Sequence, residues 1–123
     1  MQKDEIIKEI SNKFEVLPEA LWAKYPDYLV FRNIQNKKWF AILMDVSKQN
    51  LNIGKNEKID IINIKLLPLD VDFLLKQKGF LPAYHMNKTH WISIKLDNTL
   101  PTQFIMDLIE QSYDLTRPHT KAK

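Results

Sequence analysis

The sequence predicts an α+β fold in which a five-stranded, mostly antiparallel sheet carries helices on one face, in the order α-β-β-β-α-β-β-α. Three observations lead to this prediction. Pairs of short apolar segments are joined by turn-forming residues, as in β-hairpins. Amphipathic segments with helical periodicity lie near the two ends of the chain. The length of 123 residues suits one domain with a single core.

The chain begins with a predicted helix and an aromatic connection. Apolar residues recur at helical spacing within residues 3–14, with charged residues between them, which predicts an amphipathic helix. Its apolar positions are Ile6, Ile7, Ile10 and Phe14. Residues 19–28 are rich in aromatic side chains, and we expect this connection to pack on the core.

The middle of the chain predicts three strands. Residues 29–34 and 38–46 are apolar segments joined by a short polar turn, so they predict a β-hairpin. Residues 57–66 predict a third strand that is rich in isoleucine. Its alternation breaks at Ile61 and Ile62, which indicates either a bulge or a strand that is apolar on both faces.

A short helix and a second hairpin follow. We expect Asp70 to cap a helix that Gly79 terminates. Residues 80–85 and 90–96 predict the hairpin, around a turn at residues 86–89. Alternate residues of its second strand point opposite ways, so one face should be buried and the other solvated.

A final helix completes the predicted domain. Pro101 suits the first turn of a helix, and apolar residues continue after it at helical spacing. We expect residues 1–116 to form a single domain and residues 117–123 to form a disordered basic tail. We expect the protein to be a monomer.

Composition excludes several kinds of functional site. The chain has two glycines where roughly 9 are usual for its length, and it contains no glycine-rich phosphate-binding loop. It has no cysteine, so it offers no disulfide, thiolate nucleophile or cysteine-ligated zinc. No serine lies in a G-x-S-x-G context. We therefore predict no catalytic residue, no metal and no cofactor, and we favour a binding protein over an enzyme.

The amino terminus and the longest apolar run bear on location. The first residues are charged and are not followed by the apolar segment of a signal peptide. The longest apolar run, at residues 39–44, is too short to span a membrane. We expect a cytoplasmic protein with no membrane contact.

Charge is distributed unevenly along the chain. Residues 29–65, the strand-rich segment, carry seven basic and three acidic residues, a net charge of +4. Residues 1–28 have a net charge of −2, and residues 98–116 a net charge of −3. In a two-layer fold this distribution predicts a positive sheet-and-hairpin side and a negative helix side. The alternative is that the lysines only protect exposed strand edges from pairing.

One segment is distinctive enough to indicate a family. Residues 82–91, PAYHMNKTHW, resemble the signature of the YjbR/MmcQ family of small bacterial proteins. The segments that support the resemblance are residues 30–32, 38–42, 64–66 and 108–115. The resemblance covers residues 1–116. It implies a CyaY-like (frataxin-like) fold, which has been likened to a double-wing DNA-binding motif.

The first helix departs from the frataxin pattern. Frataxin-like iron binding uses an acidic first helix and sheet edge. Here acidic residues alternate with lysines, so the resemblance does not extend to iron binding. The residues concerned are Lys3, Asp4, Glu5, Lys8, Glu9 and Lys13.

Charge and resemblance together predict a DNA-binding protein that uses the positive sheet-and-hairpin side. The candidate nucleic-acid-binding residues are Arg32, Lys37, Lys38, His85, Asn87, Lys88 and Lys95. Those at the hairpin tips are placed to contact phosphates. Arg32 lies within an apolar strand, where a structural ion pair with a carboxylate is the other interpretation.

An alternative function is binding of a small anionic ligand or another protein at an aromatic surface. The candidate residues are Tyr84, His85, His90 and Trp91. With Trp39, these rings could line a pocket, stack on nucleic-acid bases, or pack on residues 22–28.

The two histidines also admit a metal-site interpretation. They flank a turn, but no third ligand is near in sequence, and a turn organised by Asn87 is the favoured interpretation. Strand alternation places His90 on the side of Ile92 and Ile94, so we expect it to be partly buried.

Overall fold

The structure, a computed structural model, describes residues 1–118. Its helices are α1 (Gln2–Phe14), α2 (Pro68–Leu74) and α3 (Thr102–Thr116). Its strands are β1 (Leu29–Arg32), β2 (Trp39–Ser47), β3 (Lys58–Lys65), β4 (Phe80–Pro82) and β5 (Trp91–Lys95). All neighbouring strands are antiparallel, and the sheet order is β1-β2-β3-β5-β4. The predicted α+β class, element order and five-stranded sheet are confirmed.

The main hydrophobic core lies between one face of the sheet and the helices. The amphipathic spacing of α1 turns Ile6 and Ile10 toward the sheet, where both are fully buried. α3 contributes Ile105 and Ile109 in the same way. Burying each such side chain stabilises the fold by about 1.5–3 kcal/mol.

The opposite face of the sheet carries a second, smaller core. Ile62 points into the main core and its neighbour Ile61 into this second one, so β3 is apolar on both faces. The buried members of the second core are Val30, Ile42, Met44, Val46, Ile59 and Ile61. The expectation of a solvated face in β5 is wrong, because Ser93 is fully buried there.

A bulge in β2 decides which way one tryptophan points. Phe31 pairs with Ala41, but Arg32 pairs with Trp39, which leaves Phe40 as an extra residue. An extra residue reverses the alternation of the strand. Phe40 therefore joins Ala41 in the main core, and Trp39 packs against the second core.

The segment around α2 differs from the prediction. Pro68 lies in the first turn, and no side chain caps the helix, so Asp70 is not its cap but a first-turn carboxylate near the positive helix end. α2 ends well before Gly79, which has φ +95° at the entry to β4. A Cβ at Gly79 would lie 2.8 Å from Cγ of Leu100, so both backbone angle and space require glycine.

α3 ends the described chain. The backbone N–H of Arg117 donates to the carbonyl of Tyr113, and its guanidinium lies 3.5 Å from the Asp114 carboxylate. Residues 119–123, most of the segment predicted to be a disordered tail, lie outside the described residues. Within residues 1–118 no helix has the length and apolar character needed to cross a bilayer.

A buried serine joins α3 to the sheet. The Ser112 hydroxyl accepts a hydrogen bond from the N–H of Lys65 at 2.9 Å and donates to the carbonyl of Phe40 at 2.6 Å. Ser112 is fully buried, so water cannot replace it. This contact holds the end of α3 against the end of β3 and the bulge of β2.

We predict that Ser112→Ala lowers the free energy of unfolding by about 2–4 kcal/mol, because it leaves two buried backbone groups without partners. Urea denaturation followed by circular dichroism measures the change. Gln111→Ala, at an exposed position of the same helix, is the control and should change stability by less than about 0.5 kcal/mol. Equal effects of the two substitutions would contradict the anchoring role.

Candidate functional site

A cavity of about 270 Å³ lies on the sheet face opposite the helices. Its lining residues are Trp22, Tyr25, Tyr28, Trp39, Ile42, Met44, Tyr84, His85 and Met86. The lining is mostly aromatic and aliphatic. Small-molecule sites usually measure about 300–1,000 Å³, so this cavity suits a small ligand or one chemical group of a larger ligand.

The floor of the cavity comes from β2. Ile42 and Met44 point to this face because they alternate with Leu43, which lies in the main core. Trp39 joins them only because of the bulge at Phe40. A regular strand would have turned Trp39 toward the helices.

One wall is the aromatic connection between α1 and β1. Glu19 and Val30 exchange two backbone hydrogen bonds of 2.9 Å, which fix the start of this segment against the sheet edge. Trp22 then meets Trp39 with ring centroids 5.8 Å apart and planes at 88°. It also meets Tyr28 at 6.1 Å and 77°. Of residues 19–28, Tyr28 packs against the second core as expected, whereas Trp22 and Tyr25 remain exposed.

The opposite wall is held by a buried polar pair beneath it. Asn63 and Ser93 are cross-strand neighbours, and the Ser93 hydroxyl donates to Oδ1 of Asn63 at 2.5 Å. Ser93 also accepts from the N–H of Tyr84 at 3.0 Å, while Nδ2 of Asn63 donates to the Tyr84 carbonyl at 2.9 Å. Both backbone groups of Tyr84 are therefore anchored in the sheet. His85 follows with φ +58°, and its ring lies 4.0 Å from the Tyr84 ring.

A second, more polar cavity of about 270 Å³ adjoins the first. The two share Tyr25, Tyr28, Tyr84 and His85. The polar residues that line only the second are Asp45, Ser47, Asn50 and Lys58. Nζ of Lys58 lies 3.5 Å from Oδ2 of Asp45. The two cavities together offer an aromatic compartment beside a polar one.

The electrostatics of the shared wall favour a neutral phenol. Burial raises the pKa of Tyr28, and the neighbouring Tyr84, Asp45 and Tyr25 raise it further. Tyr28 therefore keeps its proton in the folded state above the pH at which a free tyrosine ionises, and its hydroxyl remains a hydrogen-bond donor.

Asn87 organises the turn after β4, as predicted. Its Oδ1 accepts hydrogen bonds from the N–H groups of Thr89 at 2.9 Å and His90 at 3.0 Å. His90 is exposed, so the expectation that it is partly buried is wrong. The reason is that β5 begins only at Trp91, so strand alternation does not reach residue 90. Residues 1–118 contain no group of three potential metal ligands.

The predicted ligand-surface residues separate into two pairs. Tyr84 and His85 line both cavities. Trp91 packs partly buried against the second core, outside the cavity lining, and His90 lies in the turn.

The predicted nucleic-acid-binding residues occupy different environments. Nε of Arg32 lies 3.1 Å from Oε2 of Glu19, so Arg32 takes part in an ion pair within the domain. Nζ of Lys95 lies 3.8 Å from the Asp97 carboxylate. Four candidates at the hairpin tips are exposed, and none of them takes part in an ion pair within residues 1–118. They are Lys37, Lys38, Asn87 and Lys88.

Sequence reasoning did not identify three residues of the aromatic wall as part of a site. Trp22, Tyr25 and Tyr28 were expected only to pack on the core. The available signal was their concentration in a connection rather than in a helix or strand. Aromatic residues in a connection have no regular spacing, so the sequence does not show whether they line a cavity or pack closely in a core.

The comparisons with known proteins concern the whole domain. Residues 12–115 match the family model described as YjbR. The chain is 40% identical over 117 residues to the uncharacterized protein YyaQ of Bacillus subtilis (strain 168), a match that covers 95% of this chain and 99% of that protein.

Solved structures show the same fold. A crystal structure of a protein from Pseudomonas syringae has a TM-score of 0.92 at 41% identity and covers 95% of this chain and 100% of that chain. A solution NMR structure from Pseudomonas syringae has a TM-score of 0.88 at 39% identity, covering 100% and 98% respectively. A Deinococcus radiodurans protein shares the fold at 21% identity, with a TM-score of 0.65 over 88% of this chain and 73% of that chain.

We predict that raising the pH above about 10 lowers the free energy of unfolding of the wild type more than that of Tyr28→Phe. The unfolded chain ionises Tyr28 near the usual value of 10.0, and the folded chain does so later. Rising pH therefore stabilises the unfolded wild type but has no such effect on the phenylalanine variant. Urea denaturation between pH 8 and pH 11 measures the free energy of unfolding of both proteins. A difference that stays constant to pH 11 would show that the phenol ionises equally in both states.

Proposed function

The chain belongs to the YjbR family, and we propose that it is a binding protein for a small organic ligand held in the aromatic cavity on the sheet face opposite the helices. The observation that carries this proposal is the cavity itself. Concave, mostly apolar sites with a few polar groups at one end are the usual form of small-molecule sites. Here the polar groups lie in the adjoining cavity that Asp45 and Lys58 line.

The exposure of the aromatic wall supports the same proposal. Trp22 is 36% exposed and Tyr25 46% exposed, although both rings border apolar side chains. A ligand entering between this wall and Tyr84 would cover aromatic surface that water now reaches. Burial of aromatic surface is a large source of binding free energy.

The rigid side of the cavity also supports ligand binding. The floor belongs to β2, a central strand, and the Tyr84 backbone is anchored through Asn63 and Ser93. Binding sites held on strands and buried hydrogen bonds lose little entropy when they bind. The other wall, between α1 and β1, has no helix or regular strand and is fixed at its start by the hydrogen bonds between Glu19 and Val30.

We predict that small aromatic and alkylammonium fragments bind the wild type and do not bind Met86→Trp, because the larger ring fills the cavity that Met86 borders. Ligand-observed NMR on the full chain detects binding as weak as a Kd of about 1 mM. The fluorescence of Trp22 and Trp39 reports ligand binding independently.

The matched control for this screen is Leu69→Trp, at a residue 81% exposed on α2 and distant from the cavity lining. It should bind every fragment as the wild type does. Thermal unfolding of both variants verifies that they fold. A complete screen in which no fragment distinguishes the wild type from Met86→Trp would refute the proposed function.

A second candidate function is DNA binding at one end of the sheet. The β1–β2 turn and the β4–β5 turn lie at the same end, because every neighbouring strand is antiparallel. Lys37 and Lys38 lie on the first turn and Lys88 on the second, while Lys65 ends β3 between them. Three strand spacings, about 14 Å, separate the two hairpins. Lysines in this arrangement can neutralise several phosphates of a nucleic-acid backbone.

Two observations make DNA the weaker candidate. Arg32 and Lys95 lie beside Glu19 and Asp97, so part of the positive charge of the strands is neutralised locally. The face beside the hairpins is a cavity bordered by residues 22–28 rather than an open basic surface.

For DNA we predict that Lys37→Glu combined with Lys88→Glu weakens binding at least about tenfold, and that log affinity falls with log salt at about −0.9 per phosphate contacted. Fluorescence anisotropy with labelled duplex and single-stranded DNA measures both. The control, Lys55→Glu combined with Lys78→Glu, changes net charge equally at exposed sites away from these turns. Equal losses in the two variants would attribute binding to overall charge rather than to the hairpins.

A further inference from the structure

We propose that the ligand of the aromatic cavity is a small organic cation, an alkylated ammonium group bound against the aromatic rings, with Asp45 supplying the opposite charge from the polar compartment. This inference rests on the proposed function and specifies the chemical class of its ligand. It follows from the aromatic composition of the lining, the arrangement of the rings and the placement of charge.

The rings of the lining differ in orientation. The plane of Trp22 is nearly perpendicular to those of both Trp39 and Tyr28, whereas Tyr25 stacks on Tyr28. A cation in this cavity would therefore lie among indole and phenol rings of different orientation. The negative face of an indole or phenol ring attracts a cation within about 6 Å, and Trp is the strongest such partner.

The hydrogen-bonding groups of the aromatic compartment lie on its rings. Its side-chain polar atoms belong to the aromatic rings and to His85, while Ile42, Met44 and Met86 offer no N–H or O–H. A carboxylate or phosphate placed there would find only ring N–H and O–H groups as donors, and the nearest charged groups would include the Asp45 carboxylate of the adjoining cavity. An alkylated ammonium carries its charge behind methyl groups and needs no such partners. Aromatic cages are the usual sites for quaternary ammonium ligands.

Charge in the neighbouring compartment also favours a cation. Among residues 1–118, Asp45 is the one carboxylate that lines either cavity, and its side chain is 26% exposed. Lys58 is the one lysine of those residues in the lining, and its side chain is 71% exposed and lies beside Asp45. The carboxylate is therefore the better shielded charge. The sequence had indicated an anionic ligand instead.

The test compares choline with 3,3-dimethylbutan-1-ol, which has the same shape without the positive charge. Isothermal titration calorimetry on the full chain measures both affinities at low ionic strength. We expect choline to bind about tenfold more tightly than the alcohol, in the range that cation–π contacts provide.

Two substitutions test separately how much the rings and the carboxylate contribute to choline binding. Trp39→Leu keeps an apolar wall but removes a ring face, and it should weaken choline at least about fivefold while changing affinity for the alcohol less than about twofold. Asp45→Asn should weaken choline alone, by about threefold or more. Trp22→Leu, at a partly exposed position, repeats the ring test if Trp39→Leu is unstable.

Matched controls lie outside the cavity. Trp91→Leu removes a partly buried ring from the same sheet face, and Asp72→Asn removes an exposed carboxylate from α2. Neither should change the affinity for choline. If these controls weaken choline as much as the cavity variants do, the assigned position is wrong.

The outcomes distinguish this inference from the proposed function. If the alcohol binds as tightly as choline, or if fragments bind while choline does not, the cation inference is overturned and the cavity remains a ligand site. If no fragment distinguishes the wild type from Met86→Trp, the proposed function fails and the cation inference fails with it.

Discussion

The sheet must be covered on both faces, and the rest of the structure depends on this requirement. β2 and β3 bury apolar side chains alternately on opposite sides, with Ile61 and Ile62 as the clearest neighbours. Helices cover one side with regular amphipathic faces. Leaving the other side in water would expose a continuous apolar surface at a cost of about 25 cal/mol for each Å². Residues 22–28 and the entry to the β4–β5 turn therefore form a second, irregular layer.

That second layer differs physically from the first. Helical side chains interdigitate with a sheet at close-packed density. The rings of Trp22, Tyr25 and Tyr28 instead meet edge to face or in stacks, and between them and the floor of β2 a cavity remains. Buried Asn63 and Ser93 hold the far wall while making all their contacts inside the protein. The candidate site is thus a consequence of how the second face is covered.

Local contacts also change how the charge of the chain should be interpreted. The strand-rich segment has a net positive charge, but several of its cations have neighbouring carboxylates: Arg32 lies beside Glu19, and Lys58 beside Asp45. The remaining exposed lysines of the segment are divided between the β1–β2 turn, with Lys37 and Lys38, and the opposite end of the sheet, with Lys55. Charge sums along a sequence cannot reveal such pairing, since partners come from distant segments. The cavity therefore supports small-ligand binding more directly than the overall charge supports DNA binding.

Periodicity and turn chemistry were sufficient to predict the order of helices and strands, the antiparallel sheet and the turn that Asn87 organises, because these depend on neighbouring residues. The segment at residues 82–91 pointed to the family and to Tyr84 and His85. The bulge at Phe40 that turns Trp39 to the second face, the start of α2 and the exposure of His90 were beyond such reasoning. So was the aromatic wall at residues 22–28. The start of α2 depends on Pro68 in its first turn, and the exposure of His90 on β5 beginning only at Trp91. The bulge and the aromatic wall depend on contacts between segments far apart in the chain, and such contacts leave no regular spacing in the sequence.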